Sequence, residues 1–378
     1  MPQFNSASGA LRSEKFNNSR LQLIINGSFR GQQVTGQQRY ASELSTELVQ
    51  LGNTSIQERV VPQNFQHSRV LCWGWAQTLA MCTAKGSYLL TLTSRGPFIS
   101  WRHVVTIHDL FVLNHPEWFS RAYRITHSFA LYWQIRSAAL IVAVSEPVAE
   151  QLRALKMCRA RVIVAPNAPA QFFLQTQDAS AVENSLERLD LTTGNFLLAL
   201  SSADPRKNLG HLYAAYALVA KDLRQALPLV VVGPGESVVF AGRSEPIPEG
   251  IIHLGFVSDE QLATLYCGAK AVLFPTLDEG FGLPALEALA SGATLIVSDI
   301  TVLHWVCGDF ATYLDPRSVR AWTDEITFIA SHQFRPADEA TRVARRASVE
   351  NRFSWKKSAE IVFTAITDHR ISSAHVPK

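Results

Sequence analysis

Several things are scarce in this chain, and each scarcity excludes a class of protein. Five cysteines (Cys72, Cys82, Cys158, Cys267 and Cys307) are scattered without a C-x-x-C pair, so neither a zinc cage nor a disulfide framework is indicated. A reducing cytoplasm is the natural setting for such a chain. Charge is sparse: Asp, Glu, Lys and Arg make up 18% of the residues, the net charge is +3 and the pI is about 8.6. That balance is too mild for nucleic-acid binding and compatible with loose attraction to anionic lipid, so peripheral association at the inner face of a membrane stays open. No segment reaches the ~20 apolar residues of a membrane span, and the most apolar window, 70–92, is interrupted by Gln77, Lys85 and glycines. No D-x-D stands at a strand end, so a carboxylate clamp for a divalent metal is not indicated. Residues 1–20 are polar, with no apolar signal core, and read as a disordered tail.

What is present is an alternation of apolar strands and helical stretches over 378 residues, with 47% hydrophobic content, enough for about two domains. One stretch organises the rest. Ala271 to Phe274 reads as a short buried strand, followed by a turn-rich loop and an amphipathic helix from near Leu283 to just before Gly292. Pro284 suits the first helical position, and Gly292 the left-handed residue that closes a helix. The first N–H groups, on Gly282, Leu283 and Ala285, have no partner inside the helix and lie at the positive end of its dipole, so they favour an anion. Gly280 and Gly282 let a phosphate approach the backbone, whereas an ordinary strand-loop-helix with two surface glutamates has no need of both. Glu279 precedes the helix and Glu287 lies about one turn into it. Two carboxylates bracketing an anion site suit a ligand with hydroxyls on both sides of a phosphate, the shape of a nucleotide sugar.

Three other corners carry polar groups. Thr35-Gly36-Gln-Gln-Arg-Tyr40 follows the first strand and opens a helix over 37–51, where Thr35 or Gly36 can equally serve as a plain cap. His108 and Asp109 end the strand His103-Val-Val-Thr-Ile-His108, the end at which open α/β sheets collect ligands. Arg206 and Lys207 lie in Ser201-Ser-Ala-Asp-Pro-Arg-Lys-Asn208, ahead of a helix predicted from Leu209 to about Leu227. Cations there oppose the helix dipole, and a diphosphate is their ready partner. Gly27, Gly31 and Gly36 are not spaced as G-x-G-x-x-G, and Val238 stands where Gly233-x-Gly235 would need its third small residue, which disfavours a nicotinamide site. Residues 168–194 are polar and weakly patterned, and read as the link between domains.

Glu279-Gly-Phe-Gly-Leu-Pro-Ala-Leu-Glu287 resembles the E-x7-E signature of retaining glycosyltransferases of the GT-B fold, family 4 in particular. The Thr35–Tyr40 loop, Thr106-Ile-His-Asp109, the Val144-Ser-Glu146 and Pro166-Asn167 corners and Asp204–Asn208 are similar to further segments of that family, so the likeness covers residues 21 to about 365. One departure stands out: many members carry an Arg in the strand before the Arg-Lys corner, and here Ser201-Ser202 stand instead. The resemblance implies an α/β protein of GT-B type, two doubly wound Rossmann-like domains facing a cleft. Residues 21–180 would form an acceptor-side domain, 190–355 a nucleotide-sugar domain, and 356–378 a helix or tail returning to the first. It implies Gly36, Arg206, Lys207, Glu279, Gly280, Phe281, Gly282, Leu283 and Glu287 at the donor, His108 and Glu279 in catalysis, and no metal or other cofactor. The donor would be a GDP- or UDP-linked sugar, mannose first, and the acceptor a glycan or polyprenyl-linked oligosaccharide in bacterial polysaccharide assembly. A nucleotide-sugar epimerase on the same scaffold and an inactive sugar-binding module are the rival readings.

Overall fold

Short runs of Val, Ile, Leu and Ala, buried at every residue instead of alternating, form the central strands, as expected where helices cover both faces of a parallel sheet. The computed structural model describes residues 22–32, 35–52, 56–66, 68–81, 87–94, 96–202, 204–233, 247–331, 334–335 and 337–368. The expected tail and the Gly235 to Val238 pattern lie outside them. Among the described residues twelve strands make two parallel sheets of six. The first holds β1 (Gln22–Gly27), β2 (Ile56–Val60), β3 (Ser87–Thr91), β4 (His103–Ile107), β5 (Leu140–Ala143) and β6 (Arg161–Val164), in the order β2-β1-β3-β4-β5-β6. The second holds β7 (Leu197–Leu200), β8 (Leu229–Val232), β9 (Ile251–Gly255), β10 (Ala271–Phe274), β11 (Leu295–Ser298) and β12 (Ala311–Leu314), in the order β12-β11-β10-β7-β8-β9. In the second sheet the order reverses between the neighbours β7 and β10. The loops leaving those two strands therefore part to opposite sides and leave a crevice between them, the place where such sheets take ligands.

The helix Leu283–Ala290 starts where the sequence suggests, with Gly282 as its left-handed cap at φ 86° and Pro284 in its first turn, and Gly292 closes it at φ 80°. It is not amphipathic. Every residue from Ala285 to Ala290 is buried, Glu287 included, because the helices Asp259–Gly268, Thr301–Cys307 and Glu339–Arg352 surround it. Its small alanines are what allow that crowding. Arg345, itself buried, donates through Nη1 to the carbonyls of Gly292 and Ala293 at 3.2 and 2.9 Å, which satisfies the acceptors at the helix exit.

Two expectations are corrected here. The helix after Asn208 is two pieces, Leu209–Ala217 and Lys221–Ala226. Between them Val219 turns inward, and the hydroxyl of buried Tyr216 lies 3.2 and 3.1 Å from the carbonyls of Arg224 and Leu227, with its one hydrogen for either. No Gly or Pro marks that break, so periodicity runs through it. Residues 168–194 do run from the first sheet to the second, but they are not weakly patterned: Asp178 caps the helix Ala179–Glu187, and Val182, Leu186 and Leu191 are core residues. The helix Trp355–Thr367 lies against Gly36–Gly52 of the first half, where Trp355 meets Tyr40 edge-on at 5.7 Å and Ser358 donates to the Pro166 carbonyl at 2.7 Å.

Candidate active site

The loop after β7 is built by its own side chains. Asp204 accepts from the Arg206 N–H and from its Nε, winding Pro205–Lys207 into a single 3-10 turn, and Asn208 follows in the left-handed region at φ 58°. That loop is then tied to the one after β10. Asn208 Nδ2 donates to the Pro275 carbonyl at 3.1 Å, while the Leu277 N–H donates to the Arg206 carbonyl at 2.7 Å. The result is a convergence at Glu279, where Arg206 Nη1 lies 3.0 Å from Oε2 and Lys207 Nζ lies 2.7 Å from Oε1, which also accepts from Thr276.

These cations are not a solvated helix start. The Arg206 and Lys207 side chains are 19% and 14% exposed, and the Arg206 guanidinium covers the ring of Phe111, contributed by the first half. Burial alone would raise the Glu279 carboxyl, but Arg206 and Lys207 outweigh it and hold the group below its ordinary value. Burial likewise opposes the Arg206 charge, and Glu279 and Asp204 more than offset it, so its pKa is raised. Lys207 has three donor hydrogens and Arg206 five, more than these carboxylates use, so both keep capacity for a second anion.

Glu287 has a different partner. Arg39, from the helix Gly36–Gly52, places Nη1 2.8 Å from Glu287 Oε1 and Nη2 against Asp259. Burial pushes the Glu287 carboxyl up to about 7, with Arg39 opposing and Asp259 adding to the rise. One guanidinium shared between two carboxylates leaves the cluster a proton short of neutrality, which is why the upward direction holds even though the Arg39 charge is itself favoured.

From the first half, the strand end of β4 closes over this site. The carbonyl of His108 comes so near Gly280 that a Cβ there would lie 1.9 Å from it, and Ser145 Oγ donates to the Gly280 carbonyl at 2.7 Å. Gly282 is held to glycine by its positive φ and by Leu303, 2.8 Å from where a Cβ would stand. Both glycines thus have steric reasons to be there, contrary to the expectation that only a phosphate would require them. His108 is buried and its Nε2 donates to the Leu92 carbonyl at 2.9 Å. A carbonyl only accepts, so Nε2 carries the proton; burial lowers the pKa to about 4, and neutral His108 keeps Nδ1 as an acceptor. Asp109 accepts from the Phe111 N–H and so caps the next turn; burial pushes its carboxyl up to about 6, with Arg206 opposing. His115 reaches across to Asp278 at 3.1 Å.

The remaining expected residues divide. Leu283 begins the helix, while the Phe281 ring packs on Trp305 and Phe353, so its share in a donor site is its backbone. Gly36 is exposed at the start of its helix, which the Thr35 carbonyl caps by accepting from Arg39; the loop delivers Arg39, not Gly36, to the glutamate. Arg39, Asp259, Thr276 and Ser145 were not foreseen in the site. Arg39 and Ser145 lie inside segments noted above, but their partners are far off in the chain. Among the described residues no group of three or more His, Cys, Asp and Glu side chains is placed to hold a metal ion, and no helix is long and apolar enough to cross a membrane.

Comparison with known proteins assigns the fold and the family. Residues 182–348 match the family model "Glycosyl transferases group 1", and residues 88–168 match "Glycosyltransferase Family 4". The chain is 30% identical to O-antigen chain mannosyltransferase B of Escherichia coli over 263 residues, 68% of this chain and 67% of that one. It is 28% identical over 289 residues to serotype-specific mannosyltransferase WbdA of E. coli, covering 71% of this chain but only 34% of that longer protein. Among solved structures, sucrose-phosphate synthase from Thermosynechococcus elongatus superposes with a TM-score of 0.68 over 93% of this chain and 99% of that one, at 17% identity. The chain belongs to the group 1 and family 4 glycosyltransferases and has their two-domain GT-B fold.

Proposed function

We propose that the chain transfers a hexosyl group, mannosyl first, from a nucleoside diphosphate donor to a glycan or polyprenyl-linked acceptor in bacterial polysaccharide assembly, with retention at the anomeric carbon and without a metal. The observation that carries this reading is the meeting of Arg206, Lys207 and Glu279 in the crevice between β7 and β10, beside a helix N-terminus and under His108. The mannosyl assignment draws on the names of the E. coli relatives.

In this scheme the diphosphate lies along Arg206, Lys207 and the first N–H groups of Leu283–Ala290, which take up negative charge as the bond from the sugar carbon to the phosphate oxygen breaks. The acceptor oxygen bonds to that carbon on the same face, and its proton passes to the departing phosphate oxygen. Glu279 keeps the two cations in place and accepts from hydroxyls of the donor sugar; Glu287 does the same for the donor's other end. His108, neutral, offers Nδ1 to a hydroxyl of the transferred sugar. No metal or other cofactor enters the scheme; Arg206, Lys207 and the helix N-terminus supply the positive charge for the diphosphate.

Calorimetry with GDP- and UDP-linked hexoses tests it. One nucleotide sugar should bind and be consumed only when acceptor is added. Conversion of the donor sugar to its epimer without acceptor points to an epimerase, and tight binding without turnover to a sugar-binding module; either result replaces the proposal.

A further inference from the structure

We infer that the helix Arg121–Ser137 is a docking face for an anionic lipid surface, setting the cleft beside a membrane. The inference rests on the reading of a lipid-linked acceptor. At helical spacing Arg121, Ile125, Phe129, Tyr132 and Arg136 share one face. Its apolar members are turned outward: Ile125 is 66% exposed, Phe129 56% and Tyr132 43%. Ala130, Gln134, Ile135 and Ser137 carry the burial on other sides, so packing does not account for the exposed stripe.

The patch is wider than the helix. Gln134 Nε2 donates to the Gly96 carbonyl at 3.0 Å, the Phe98 ring meets Phe129 at 5.9 Å, and the Ser100 N–H reaches Ser137 Oγ at 3.3 Å. Residues 96–100 are thereby laid along the helix, and with them come Ile99 and Trp101, each about half exposed. An apolar surface of this kind marks an interaction site.

Charge selects the occupant. No Asp or Glu occurs between Trp118 and Ser145, while Arg121 and Arg136 bracket the stripe and Arg124 flanks it. A second copy of the chain would bring the same acid-free, cationic face against itself, which like charge opposes. An anionic bilayer suits both halves of the pattern: arginines reach the headgroups while Ile, Phe, Tyr and Trp enter the interface. The helix begins just after His115, which bonds Asp278 across the cleft, so docking here brings the cleft mouth to the lipid surface where a polyprenyl-linked acceptor presents its sugars.

The test is flotation of the full chain with vesicles of phosphatidylcholine alone and with one third phosphatidylglycerol, a readout that needs no turnover. The expected result is binding to the anionic vesicles only, weakened by salt. Arg121→Glu with Arg124→Glu should lower partitioning by at least tenfold, since each cation near the surface contributes about fivefold. Ile125→Asp with Phe129→Asp should abolish it with only a small fall in melting temperature, since Phe129 gives up its ring contact with Phe98; should that variant not fold, the arginine pair decides. Equal flotation of wild type and arginine variant overturns the inference. So does an absence of vesicle binding together with a dimer that the Ile125 and Phe129 changes dissolve. A chain that floats as described yet transfers no sugar contradicts the proposed function and leaves the docking face standing.

Discussion

Arg39 and Glu287 are 248 positions apart in the chain and meet at 2.8 Å, one from each half of the molecule. The same guanidinium also meets Asp259, so a single cation of the first domain holds two carboxylates of the second.

This arrangement makes pH a probe of Glu287. Its folded pKa of about 7 lies above the ordinary 4.5, so the native state holds the proton more firmly than the unfolded chain. Its contribution to stability is therefore fully present below about pH 4.5 and is lost as pH rises through about 7. The ionised form is the stronger acceptor for a donor hydroxyl, so donor affinity should tighten between about pH 6 and 8. Glu287→Gln should flatten both trends in thermal melts and calorimetry; an unchanged pH slope in that variant would show that Glu287 is not the titrating group.

Glu279 should matter for rate more than for fold when its shape is kept. Glu279→Gln is expected to lower turnover at least tenfold, about 1.4 kcal/mol of transition-state stabilisation, with a modest change in melting temperature. Glu279→Ala leaves Arg206 and Lys207 buried without their partner and should cost about 3 kcal/mol or more of stability. Wild-type turnover in Glu279→Gln would remove the carboxylate from the mechanism.

Lys207 separates phosphate from nucleoside recognition. Lys207→Ala should weaken nucleoside diphosphate binding by about tenfold or more and leave nucleoside binding nearly unchanged, because the phosphate contact goes while Arg206 still pairs with Glu279. Equal losses for both ligands in parallel titrations would place Lys207 in the fold and not at the diphosphate.

Gly280 tests how the two halves close. A methyl group there would sit 1.9 Å from the His108 carbonyl, and neither partner is a flexible side-chain end. Gly280→Ala should force the strand end of β4 away from the loop after β10 and lower turnover by more than tenfold, with a scattering profile more extended than wild type. A variant with normal turnover would mean that catalysis does not require this approach.

How far the sequence reached can be seen at these residues. The E-x7-E spacing, Pro284 and Gly292 are local signals, and local chemistry located the helix, the glutamate before it and the one within it. Arg206 and Lys207 were legible because cations at a helix start are unfavourable without a partner, although that partner proved to include Glu279 itself. Arg39, Ser145 and Asp259 carry no such signal; their roles exist only once the two sheets face each other. The buried character of Leu283–Ala290 was missed because its alanines and Glu287 mimic an amphipathic repeat, and the break after Ala217 because no Gly or Pro announces it.

The most direct test of the account is a transfer assay read by the mass of the acceptor. Purified chain, EDTA, a polyprenyl-linked glycan and each of GDP-mannose and UDP-linked hexoses should yield, with one donor, an acceptor heavier by one hexosyl residue, and Glu279→Gln should yield about a tenth as much or less in the same time. A donor consumed with no gain in acceptor mass, or a gain that EDTA abolishes and magnesium or manganese restores, would contradict the metal-free transfer built on Arg206, Lys207 and Glu279.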